Sequence, residues 1–193
     1  MLKQKKIINL VTMILSTVLL ILLILGIMQC YKINKKYPSP TVMAVDISQE
    51  LLINDNNLKV KATEFEVKEI DDLLPDHSIP FDYNANSKIA IVKLNVKNVS
   101  DNNESFDLTS LVLTTNGWKN GLFLDLFMKL NPDYYSVINP DESIDIIVPY
   151  AMLDYQFEKS IWEKINEQHF RIVFQVYPEN KLSLIHISEP TRR

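Results

Sequence analysis

The chain has 193 residues, 20 Lys and Arg against 24 Asp and Glu, and a formal charge of −4. An acidic balance without a basic stripe excludes the electrostatic footprint of a nucleic-acid binder. One cysteine excludes an internal disulfide, and three glycines are too few for a phosphate-cradling loop. The length suits one globular domain plus an appendage.

The appendage comes first. Residues 1–6 form a lysine-bearing tail, and from Ile7 to Met28 no charge occurs. A hydrocarbon core of about 30 Å needs roughly 20 such residues as helix, so residues 7–29 are expected to span a membrane once. Thr12, Ser16 and Thr17 are tolerable there because hydroxyls bond back to helix carbonyls. The apolar run exceeds the length of a cleaved signal's core. Gln29 stands where a lipoprotein signal needs a small residue before its cysteine, so Cys30 is read as a passive thiol and the anchor as uncleaved. Lys3, Lys5 and Lys6 balance Lys32, Lys35 and Lys36, so charge leaves orientation tied. A short leading tail before a single helix places the C-terminal body outside the cytoplasm.

Residues 30–40, ending in YPSP, read as an extended stalk, since Pro38 and Pro40 oppose helix. The body, residues 41–181, follows in strand-like segments. In NLKVKATEFEVKEI, Leu58, Val60 and Ala62 alternate before the phase shifts to Phe65 and Val67, the mark of a bulge or of a strand changing sheets. In SKIAIVKLNVKNVS, Ala90, Val92, Leu94 and Val96 face a core, while Ile91, Lys93, Asn95 and Lys97 face mostly solvent. The polar run Ser100 to Ser105 closes that strand as a loop. SLVLTT precedes Asn116 and Gly117, a tight-hairpin pair, and SIDIIVPYAM is rich in β-branched residues. Between Asp154 and Gln168, Phe157, Ile161 and Ile165 recur every four residues and predict one short helix. Phe170, Ile172, Phe174 and Val176 then alternate with Arg171, Val173, Gln175 and Tyr177 along a strand ended by Pro178. Strands with one helix predict an immunoglobulin-like β-sandwich.

Asn98, Val99 and Ser100 at the end of one strand, and the turn Asn139, Pro140, Asp141, Glu142, Ser143 before another, resemble telokin-like, immunoglobulin-like extracytoplasmic domains of unknown function from Gram-positive bacteria. The likeness covers residues 40 to 178 and implies a fold, not a site. Leu182 to Arg192, LSLIHISEPTR, resembles residue for residue one translated frame of a transposase sequencing-library adapter. Residues 182–193 are therefore set apart as adapter-derived.

For chemistry, Gly26, Gly117 and Gly121 build neither a phosphate loop nor a nucleophile elbow. His77 and His169 lack a partner at metal-ligand spacing. Asp71, Asp72, Asp76 and Asp82, with His77, offer hard oxygen ligands for Ca²⁺ without the EF-hand spacing, and read first as a solvated acidic loop. Phe123, Phe127, Met128, Tyr134 and Tyr135 suit an interface, but Leu122, Leu124, Leu126 and Leu130 among them point to core packing; Trp118 and Trp162 are equally ambiguous. The expectation is a non-enzymatic binding module of the bacterial envelope with no catalytic residues, metal or cofactor, tethered to the membrane and docking a protein or envelope component. The alternative is a metal-binding envelope protein or enzyme using the acidic loop around Asp76.

Overall fold

The computed structural model describes residues 2–76, 78–81, 86–176 and 179–185, with side chains from Met13 onward. His77, Asp82, Tyr177, Pro178 and residues 186–193 lie outside them. The chain divides into two units, Met1–Pro40 and Thr41–Arg193.

The first unit is one helix, α1 (Leu2–Lys36). From Met13 to Lys36 it is long and apolar enough to cross a membrane, and no part of that stretch is buried against protein. A helix apolar on every side with nothing packed on it has no aqueous partner for its surface. The extended stalk is shorter than the sequence suggests, because Tyr31–Lys36 continue the helix and the Tyr37 N–H donates to Ile33 O at 2.8 Å. Nothing in YKINKK breaks a helix, and Lys35 and Lys36 sit favourably at its negative end; Pro38 stops it.

The second unit runs β1 (Thr41–Asp46), β2 (Leu51–Ile53), β3 (Leu58–Glu69), α2 (Ile70–Leu73), β4 (Ser87–Asn98), β5 (Glu104–Ser105), β6 (Val112–Thr115) and β7 (Trp118–Gly121). It continues with α3 (Leu124–Leu130), β8 (Val137–Ile138), β9 (Ser143–Leu153), α4 (Lys159–Trp162), β10 (Phe170–Gln175) and β11 (Glu179–Ile185). One sheet has the order β1-β11-β10-β6-β7 and the other β2-β3-β4-β9, with β5 and β8 a small pair of their own. The inner faces of the two large sheets make a β-sandwich core. Val60, Ala62, Val92, Leu94, Val148 and Met152 from one sheet meet Leu113, Phe170, Ile172 and Phe174 from the other. Phe65 and Phe170 join them, ring centroids 5.0 Å apart.

The phase shift in β3 is a bulge. Pairing with β4 slips between Ala62 and Glu64, leaving Thr63 extra and turning Phe65 and Val67 inward. Asn116 and Gly117 take positive φ, 43° and 80°, as the tight β6–β7 hairpin requires. The stretch 154–168 is not one helix. α4 lies between 3₁₀ turns at Asp154–Gln156 and Ile165–Glu167, and the backbone extends at Phe157 (φ −126°, ψ 153°). That break lets the Phe157 ring stack between Trp118 (5.2 Å) and Trp162 (5.6 Å). Two further short helices, α2 and α3, fall where no helix is expected. Val176 is exposed rather than inward. The strand after β10 is also a departure: β11 lies between β10, antiparallel, and β1, parallel. Leu182–Ile185, set apart as adapter-derived, form much of it, and the Ser183 hydroxyl is buried without a partner among the described residues.

Tyr150 is fully enclosed, and its hydroxyl has no partner among the described residues. Burial pushes its pKa well up. Its folded pKa is raised, so the stability it contributes is present below pH 10, where the unfolded side chain titrates, and is lost above. The expected loss is about 1.4 kcal/mol per pH unit from this one group. Tyr150→Phe should raise stability at neutral pH by about 1 kcal/mol, by removing an orphaned hydroxyl. It should also flatten the fall of the melting temperature between pH 10 and 11.

Candidate functional site

The two candidate segments come together. Along α2 and the following loop, Ile70, Leu73, Leu74, Ile79 and Phe81 face the outer side of the β4–β9 sheet. There they meet Leu126, Phe123 and Leu130 from α3 and its N-terminal approach, forming a second, smaller core over Ile89, Ile91, Ile147 and Ala151. Ile91 is thus buried, although alternation assigns it to the solvent face. The acidic loop is a flap with an apolar underside, since Ile70 with Leu73 and Leu74 one turn on gives even this short helix a buried face.

The flap's carboxylates face outward. Asp71 and Asp72 are exposed on α2, and Asp76 pairs with Lys129 of α3 at 3.3 Å. The Ser78 hydroxyl, and after it the Lys129 ammonium, hold the Asp76 carboxyl below its usual range. A lowered carboxyl pKa stabilises the fold above its unfolded titration and loses that contribution as pH falls through the folded value. Lys129 also reaches the Ser78 hydroxyl, so one ammonium fastens flap to helix. Among the described residues no three His, Cys, Asp or Glu converge as a metal site.

The aromatic segment divides. Phe127 is buried in the main core with Tyr134 edge-on at 5.1 Å, and Phe123 packs on Phe81 at 5.2 Å. The Tyr134 hydroxyl donates to Phe106 O at 3.2 Å. Leu126 is buried, whereas Leu124, Met128 and Tyr135 are exposed. Trp118 and Trp162 are core residues: Trp118 Nε1 donates to Gln156 Oε1 at 3.1 Å, and the Lys88 ammonium lies 5.5 Å from the Trp162 ring.

Sequence reasoning misses the residue that organises this region. Asn131, at the C-terminal cap of α3, donates from Nδ2 to Ile147 O (2.8 Å) while its Oδ1 accepts from Ile147 N–H (2.9 Å). Its side-chain amide therefore imitates a neighbouring strand on the outer edge of β9. Farther along that edge the Phe123 N–H donates to Pro149 O, and Asn120 Nδ2 donates to Ala151 O. An asparagine ending a short helix is the only signal in the sequence, and it names a cap rather than an edge cover.

Beyond Asn131 the cover ends, and an open groove of about 730 Å³ begins. Leu130 to Tyr135 form one wall, and Thr63, Lys93 and Ile144 to Ile147 form the floor and the other wall. Glu64 neutralises the Lys93 ammonium at 2.7 Å and raises its pKa, whereas Asp133 and Asp145 remain exposed. This arrangement offers hydrogen-bonding backbone, aromatic surface and negative charge.

The model of a domain of unknown function, DUF5028, matches residues 40–181, most of the chain. The chain belongs to the DUF5028 family. The family match ends at Lys181, the residue before the segment set apart above. No curated protein matches the chain. Solved structures similar to the DUF5028 chain at low identity include three from Gram-positive bacteria. An uncharacterized β-sandwich protein from Clostridium difficile 630 is 13% identical (76% of this chain, 95% of that one, TM-score 0.47). A conserved hypothetical protein from Bacillus anthracis is 12% identical (70% and 94%, TM-score 0.46). A functionally unknown protein from Listeria monocytogenes EGD-e is 14% identical (74% and 85%, TM-score 0.46).

Proposed function

We propose that this DUF5028 protein is a membrane-tethered, extracytoplasmic binding module of a bacterial envelope, acting by docking rather than by catalysis. The observation that carries the reading is α1: its apolar surface from Met13 to Met28 is wholly exposed, and the sandwich starts at Thr41, a few residues past its end. Such a surface is stable in lipid, not water, and it tethers the sandwich to a bilayer. The docking half of the reading is supported by the groove beside Asn131. The fate of the acidic residues supports it too, since Asp76 is spent on Lys129 and Asp71 and Asp72 face away from the flap's underside.

The test combines topology with capture. Protease added to intact protoplasts should digest the chain beyond Pro40 and leave a membrane-embedded α1 fragment. An impermeant thiol reagent should label Cys30, exposed near the end of α1, without permeabilisation. Photo-crosslinkers at Tyr135 and Tyr155, both exposed, should yield a discrete adduct in the native envelope. Recovery of the full chain in the soluble fraction without detergent, or digestion only after permeabilisation, would overturn the reading.

A further inference from the structure

We propose that the groove beside β9 is a strand-addition site that takes an extended, basic segment of a partner protein. The inference rests on the binding-module reading and specifies its ligand. In β9 the odd-numbered residues turn their backbone groups to the outer edge, as the bonds at Ile147, Pro149 and Ala151 show. By the same alternation the N–H and C=O of Ser143 and Asp145 point outward. Among the described residues neither has a backbone partner on that side, and the groove lies there. An open strand edge is a template that proteins normally cover. Here the cover, two asparagine side chains and the Phe123 backbone N–H, reaches as far as Ile147 and then stops.

The open part spans about 7 Å, enough to pair three or four residues of an incoming strand. Asn131 fixes where that strand must end. Tyr135, Leu130 and Pro132 line the opposite wall, giving alternate side chains of the guest an apolar surface while its main chain supplies the hydrogen bonds, the division of labour of strand addition. Charge selects the guest. Lys93 is neutralised by Glu64 at 2.7 Å, whereas among the described residues no cation pairs with Asp133 or Asp145; Asp145 accepts from the neutral Asn95 amide, at 2.8 Å. Lysine or arginine at alternate positions of the guest would meet these carboxylates. Antiparallel pairing of a second copy's β9 across the same edge would bring Asp145 residues together, which disfavours self-pairing.

The probe is acetyl-Lys-Val-Lys-Val-Lys-amide, titrated onto full-length, isotope-labelled protein in detergent micelles. The expected result is a saturable downfield shift of the Ser143 and Asp145 amide protons, as each gains a hydrogen bond. A peptide N-methylated at alternate residues should bind at least ten-fold more weakly, and the double variant Asp133→Asn, Asp145→Asn should lose at least ten-fold while melting normally. Unmoved Ser143 and Asp145 amides at saturation overturn the proposal, as does equal binding of the glutamate counterpart. Shifts at these amides that depend on protein concentration without peptide assign the edge to a second copy, and also overturn it. If the crosslinker at Tyr155 captures an envelope partner and the one at Tyr135 does not, the binding-module reading survives and the groove proposal fails.

Discussion

Phe127→Ala is expected to cost about 4 kcal/mol, a large share of the roughly 5–15 kcal/mol that keeps a domain of ordinary stability folded. Phe127 is 1% exposed and joins the main core, while its neighbour Leu126, fully buried, belongs to the smaller cluster over Ile89 and Ile91. Adjacent residues of one short helix thus pin it to both sides of the β9 edge. Truncating Phe127 opens a cavity in the sandwich and removes the edge-on partner of Tyr134, loosening the wall of the groove as well. Leu126→Ala should cost less, about 3 kcal/mol, and should free the flap while leaving the Tyr134 environment intact. Denaturant unfolding of both variants, followed by tryptophan and tyrosine emission, separates the two. Equal tyrosine signals would show that α3 does not divide its side chains in this way.

Asn98→Leu is expected to cost about 3 kcal/mol. Asn98 is fully buried and every hydrogen-bonding position of its amide is used. Nδ2 donates to Asn102 O (2.6 Å) and Ile138 O (2.9 Å), and Oδ1 accepts from the Ser100 N–H and hydroxyl, each at 2.9 Å. The side chain ties the end of β4 to the following loop and to β8. Leucine would fill the space yet strand two carbonyls and a donor, and each orphaned buried group costs about 1–3 kcal/mol. Ser100→Ala, which removes one hydroxyl near the surface, should cost under about 1 kcal/mol by the same reasoning. A shift of the urea midpoint at constant slope is the readout; a neutral Asn98→Leu would mean that water already satisfies the loop.

The second family-like turn makes a smaller, opposite prediction. Glu142 N–H closes it onto Asn139 O at 3.1 Å, Glu142 Oε2 accepts from Asn139 N–H and Nδ2 at 2.8 Å, and Asp141 sits at φ 60°. That left-handed position favours glycine. Asp141→Gly should raise stability by up to about 1 kcal/mol, giving up only an exposed contact to Lys97 at 3.9 Å.

These two turns were legible in the sequence because their chemistry is local. Asn98 and Ser100 lie two residues apart, and Asn139 and Glu142 three. The same holds for the Thr63 bulge, where a change of phase within one strand is visible without knowing its partner, and for the Asn116–Gly117 hairpin. Phe157, Ile161 and Ile165 were correctly grouped as inward residues, but periodicity carried no sign that Phe157 would leave the helix to lie between Trp162, a few residues on, and Trp118, far away in the chain. β1 was not legible because it pairs with β11 across the whole length of the domain, and Leu182–Ile185 of β11 were set apart as adapter-derived. Ile91 was the instructive failure. Lys93, Asn95 and Lys97 continue its row and mark it as a wet face, and only the arrival of α2 and α3 turns one end of that row dry. The groove was illegible for the same reason, since it exists where that cover stops.

One consequence of the doubly covered strand concerns how the domain breathes. Over Ile89–Val92, β4 has apolar packing on both sides and a strand on each flank. The flap, by contrast, rests on a small cluster, and its Asp76–Lys129 ion pair lies in solvent. It behaves as a hatch that can lift without melting the sandwich. In heavy water, deuterium should enter the amides of α2 and α3 early and reach those of Ile89–Val92 last, at the rate of global opening.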